Sequence, residues 1–114
     1  MRVTRAYGDS SGETRLAEVE VPDGPVPAIA LLMGSAQRRE AQDFHPAPAR
    51  RLVTALRGEF EIGTTNGDRK RFGPGEWFFA DDVGTKGHTI AFFGEVHHVA
   101  HCQIPEDWDD WTPL

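Results

Sequence analysis

The chain has 114 residues, 39% of them hydrophobic, and a formal charge of −6 from 18 acidic and 12 basic residues. That length allows one domain with one modest core. The acidic balance gives no broad attraction to phosphate backbones, and no apolar run approaches the roughly 18 residues of a membrane helix, so neither nucleic acid nor a membrane is an expected partner.

Residues 1–12 carry Arg2, Arg5 and Asp9 without the apolar stretch of a secretory signal, which predicts a cytoplasmic location. Residues 15–21 alternate, with Leu16, Val19 and Val21 set against Glu18 and Glu20, and read as a strand with one wet face. Pro22-Asp23-Gly24-Pro25 breaks it. Residues 28–33 form a short apolar run between breakers and read as a strand, whereas residues 38–44 are polar and ambiguous. His45-Pro46-Ala47-Pro48 must be extended or turn-like, because each proline moves its predecessor out of the α region.

Residues 52–56 and 59–64 read as strand with a tight bend or bulge at Gly58. Asn66-Gly67 then predicts a type I′ hairpin into a short basic strand over 69–72. Gly73-Pro74-Gly75 is a turn before a strand over 76–81, and a glycine-containing loop leads to His88. Residues 89–93 and 96–104 are the closing strands, joined at Gly94-Glu95. Short strands with a turn every 8 to 12 residues or so predict an all-β barrel or sandwich. In the acidic tail, residues 105–114, Trp108 and Trp111 are spaced for one helical turn laid over the barrel by its indoles. Cys102 is the only cysteine, which excludes an intramolecular disulfide and suits a small buried hydrophobe.

The period of two places Phe60, Ile62, Trp77, Phe79, Ile90 and Phe92 toward the barrel interior. Phe78, Phe93 and Leu56, on the other parity, imply a second covered face, which a homodimer would supply. Arg38-Arg39, Arg50-Arg51 and Arg69-Lys70-Arg71 read as solvated basic clusters, two of which are also suited to a pocket mouth that attracts an anion. No phosphate loop, HExxH, CxxC or EF-hand loop occurs.

His45, Ala47, Arg51 and Gly58, followed by Gly75 and His88, resemble the two motifs of the cupin superfamily. Residues 44–51 and 81–88 are similar to those of small single-domain bacterial cupins. The resemblance implies a cupin-type double-stranded β-helix (a jelly-roll barrel) over residues 1–114, with residues 105–114 packing on it as a tail. It also places His45 and His88 at two of the four positions where cupins hold a metal. Ala47 stands at the third position and Arg51 at the glutamate position, and neither can ligate. A divalent metal on His45 and His88 would therefore need completion from Asp43, Asp81, Asp82 or a histidine among His97, His98 and His101.

The reading favoured over a metal site is a small-molecule pocket without one. In it His45 and His88 act as acid and base, Arg51 pairs with an anion, and Phe60, Trp77, Phe79, Asp81 and Phe92 contact the substrate. Arg51 could instead be neutralised by Asp81 or Asp82. The expected function is a cyclase- or isomerase-type proton transfer on an apolar oxygenated or anionic substrate. A non-catalytic metabolite sensor and a metal-dependent oxygenase with atypical ligands are the alternatives.

Overall fold

The computed structural model describes residues 1–36 and 42–114. Nine strands follow one another: β1 (Arg2–Gly8), β2 (Thr14–Glu20), β3 (Ala30–Ala36), β4 (Gln42–His45), β5 (Arg51–Thr64), β6 (Arg69–Phe72), β7 (Trp77–Asp81), β8 (His88–Gln103) and β9 (Thr112–Pro113). Among the described residues there is no helix, so none is present to cross a membrane. The all-β expectation holds. The strands form one sheet in the order β3-β8-β5-β7-β1-β2-β9, with β4 added to β8 and β6 to β5. This sheet is not closed into a barrel. The pair Arg38-Arg39 lies outside the described residues.

β5 and β8 form the centre of the sheet, paired antiparallel from Arg51↔Gln103 to Thr64↔His88. The expected bulge at Gly58 is present, with φ of 80° and register shifts between Ala55 and Arg57 and between Arg57 and Glu59. A Cβ there would lie 2.6 Å from the Val96 carbonyl oxygen, so glycine is required by space as well as by conformation. The extra residue reverses the parity of the strand. Val53 and Ala55 before it share a core cluster with Phe60 and Ile62 after it.

Opposite the bulge the expected connection at Gly94-Glu95 does not form. Gly94 adopts a φ of 108°, and β8 continues through it as one strand. Phe93 pairs with Glu59 and His98 with Arg57, so residues 94–97 bow out while both arms stay bonded to β5.

Two further expectations change. The β5–β6 hairpin is not type I′, because that turn needs positive φ at both central residues and only Gly67 has it. Instead Gly67 N–H donates to Thr64 O, and Thr64 N–H donates to Asp68 O. This is a three-residue loop with glycine in the bulge position, held by Asn66 between the Thr64 hydroxyl and Asp68. The N-terminal residues, to which no strand was assigned, form β1, which is antiparallel to β2 and parallel to β7.

The expected covered face of Phe78, Phe93 and Leu56 does not form, since Phe78 lies in the first cluster and Leu56 is exposed, and the chain's own tail covers the face of Phe79 instead. Val3, Val19, Leu52, Phe79 and Ile104 form a second cluster, closed by Trp108. The Phe79 ring meets Trp108 at 5.5 Å and Trp111 at 6.1 Å, both edge-on. The indoles do lie on the sheet. The expected helical turn is replaced by a turn bonded from Trp108 N–H to Pro105 O and by β9, which pairs with β2. Arg50 fastens this tail, donating to the carbonyls of Pro105, Glu106 and Trp108. Cys102 is half-buried against the same cluster.

Candidate functional site

The first cluster backs a cavity of about 320 Å³ lined by His45, Arg51, His88 and His101, with Val53, Phe78, Ala80 and Ile90 as its main apolar wall. Its position follows from register. Arg51↔Ala80 and Val53↔Phe78 bring β5 and β7 together, Val53↔His101 adds β8, and His45↔His88 adds β4. Of the residues expected in a pocket, His45, His88 and Arg51 converge here. His101, which sequence reasoning left unassigned, joins them.

The expected substrate-contacting residues lie elsewhere. Phe60 and Phe92 belong to the core behind the cavity, where Phe60 stacks on Phe72 at 4.9 Å. Trp77, Phe79 and Asp81 have the opposite parity on β7 from Phe78 and Ala80, and the first two pack in the second cluster. Asp81 bonds Arg5 at 2.7 Å and Arg50 at 2.6 Å. The three consecutive aromatics of β7 concealed its phase, because hydrophobicity alone does not say which parity faces the pocket.

Behind His88 sits a buried polar centre. His88 Nδ1 lies 2.6 Å from Asp82 Oδ2, and Asp82 is fully buried. The Thr14 hydroxyl donates to Oδ2 at 2.9 Å, and the Ala47 N–H to Oδ1 at 3.3 Å. Burial pushes the Asp82 carboxyl up, but the hydrogen bond and charge of His88, followed by the Thr14 bond, hold it below its ordinary value. Asp82 is therefore ionised at neutral pH. A carboxylate only accepts, so His88 donates from Nδ1 and its Nε2 is the nitrogen left to exchange a proton. His45 is fixed in a similar way, donating from Nδ1 to Asp43 O at 2.8 Å. The two imidazole centroids are 4.8 Å apart.

Arg51 takes neither of its expected acidic partners. Asp81 is engaged by Arg5 and Arg50, and Asp82 by His88. Arg51 Nε is buried without a hydrogen bond, and Arg51 forms no ion pair among the described residues. His101 Nδ1 is likewise buried without a partner. Burial first, and Arg51 second, lower the His101 pKa, so its ring is neutral at pH 7. A larger hollow of about 450 Å³ lies beside Arg50 and Glu106. Its arginine is already saturated by Asp81 and the tail carbonyls, which leaves little there to orient a ligand.

A cupin-type metal does not fit this cavity. No group of three or more His, Cys, Asp or Glu is placed to hold an ion among the described residues. Asp82 faces the back of His88, Ala47 presents only its backbone N–H to Asp82, and the cation Arg51 lines the same wall. The chain matches no protein-family model and no curated protein.

Proposed function

We propose that this chain is a small-molecule protein of the cupin kind that moves a proton on an oxygenated, anionic ligand held in the His45–Arg51–His88–His101 cavity. The observation that carries the reading is the buried Asp82–His88 pair, 2.6 Å apart, behind a cavity that also holds an unpaired arginine. The pairing of His45 with His88 across β4 and β8 supports the cupin part, since those are the two residues its motifs assign to one centre.

The chemistry follows from the hydrogen bonds. His88 Nε2 takes a proton from a carbon beside a carbonyl, and the C–H electron pair moves into an enolate. Asp82 positions the ring and stabilises the imidazolium that forms. Arg51 holds the ligand's anionic group, and the proton returns from His88 or through His45 at a different atom. Asp82 touches no ligand and is a positioning residue.

In D₂O, a panel of 2-oxo and 3-oxo acids that includes phenylpyruvate is expected to show enzyme-dependent exchange of the acidic C–H by proton NMR. His88→Gln should slow the exchange roughly 10²- to 10⁴-fold. Asp82→Asn should slow it less and displace its pH profile. Absence of exchange across the panel, or exchange that survives His88→Gln, overturns proton transfer.

We also infer that a second copy pairs along β3. This strand ends the sheet, contains no charged residue, and exposes Leu31, Leu32 and Met33, the last at 72%. Edges usually carry charge or proline to prevent such pairing. Leu56 and Val96 extend the exposed apolar surface, and an uncharged strand can meet its own copy antiparallel. Light scattering is expected to give a dimer, with Leu31→Lys/Met33→Lys a folded monomer. A monomeric wild type, or an unchanged dimer in the double variant, contradicts this pairing.

A further inference from the structure

We propose that Arg51 and His101 form a carboxylate subsite, so that the cavity takes a small monocarboxylate with an apolar body. This rests on the reading of the cavity as a small-molecule site and names the class of ligand it takes.

Buried polar atoms are almost always hydrogen-bonded, yet two unpartnered nitrogens, Arg51 Nε and His101 Nδ1, belong to side chains that line one cavity. The register explains their meeting. Arg51 is opposite Gln103 and Val53 is opposite His101, so the two side chains stand two positions apart on one face of adjoining strands. A half-buried guanidinium without a counter-ion is costly, and the nearby acids are spent on Arg5, Arg50 and His88. The group that would compensate this guanidinium is an anion supplied from outside.

The shape and count of the donors select the anion. A guanidinium fork matches a planar carboxylate and bonds it with two parallel hydrogen bonds. The neutral His101 ring adds one N–H donor and no charge. One fixed cation suits a monoanion and leaves a phosphate dianion half-compensated. Around the fork, Val53, Phe78, Ala80 and Ile90 give an apolar wall against which the rest of the molecule can lie. His45 and His88 are the other titratable groups lining the space, and they face the part of the ligand that is not held by Arg51.

The test is an NMR titration of the full chain with benzoate, with benzamide as its neutral isostere and inorganic phosphate as the dianion. Benzoate is expected to bind saturably and to move the Arg51 Nε–H and His101 ring resonances, while benzamide and phosphate leave them in place. Arg51→Gln should weaken benzoate at least tenfold, Arg51→Lys less, and His101→Phe measurably. Equal binding of benzamide, tighter binding of phosphate, or unchanged benzoate affinity in a natively dispersed Arg51→Gln chain each overturns the subsite. The comparison of the three probes on wild type needs no variant to fold. Benzoate binding without any oxo-acid exchange removes proton transfer and keeps the subsite. Exchange through His88 that ignores Arg51→Gln removes the subsite and keeps proton transfer.

Discussion

Asp82→Ala is expected to destabilise the fold by about 3 kcal/mol or more, read as a fall in the urea midpoint. The carboxylate is fully buried and accepts from His88, Thr14 and the Ala47 backbone, so its removal leaves His88 Nδ1 and the Ala47 N–H without a partner and Thr14 with only Thr85. Asp82→Asn keeps the shape, loses the charge, and should fall between the two. The same residue sets part of the acid limb of stability. Its pKa is lowered in the folded chain and returns to the ordinary carboxylate value on unfolding. Its contribution is therefore present above that ordinary value and is lost as pH falls through the lower, folded one. Wild type should lose stability on acidification below about pH 4, and Asp82→Asn should show a shallower fall over the same range. Equal slopes for the two chains would show that folding does not lower the Asp82 pKa.

Gly87→Ala should be more damaging still, at about 4 kcal/mol or more, a size reserved for backbone collisions and broken cores. Gly87 has a φ of 92°, and a Cβ there would sit 2.5 Å from Pro46 N and closer to the His45 carbonyl. The bare Cα lets the chain at His45 lie directly against the start of β8, which is how the two imidazoles come within reach of each other. Gly67→Ala supplies the control. Gly67 has nearly the same φ, 91°, but nothing lies within 4 Å of an added Cβ, so the change costs only the backbone strain of about 1–2 kcal/mol. If both variants lose the same stability, close packing at Gly87 is not what holds β4 to β8.

Much of the strand pattern was legible because its signals are local. The alternation over β2, the glycine bulge in β5 and the basic β6 all fall where the residues indicate. What failed was phase. A period of two assigns inward and outward only while the pleat is unbroken, and the bulge at Gly58 reverses it midway along β5. That reversal is why Val53 and Phe60 share one cluster. The aromatic run of β7 concealed its own phase for a different reason, since both of its faces are covered.

The site was half legible. His45, Arg51 and His88 came from motif spacing, and they line one cavity. Asp82 was considered as a metal ligand or as a partner for Arg51, while its place behind His88 depends on a turn whose geometry no spacing specifies. His101 could have been reached by counting two residues back from the pairing of Gln103 with Arg51, but that register is a tertiary fact. The homodimer was expected from a covered face of Phe78, Phe93 and Leu56, but Phe78 joins the first cluster and Leu56 stays exposed. The surface that now supports a second copy is β3.

The order of the strands also governs when the molecule can form. Arg51 must wait for Gln103 and β1 for β7, so the central pairs join segments far apart in the chain. Loop closure is costly before such pairs can form, and sheets of this connectivity fold on roughly the millisecond-to-second scale. On a ribosome, the uncharged β3 emerges well before its partner in β8. Until the last quarter of the chain is made, that strand lacks its partner and leaves an apolar edge of the kind that promotes aggregation.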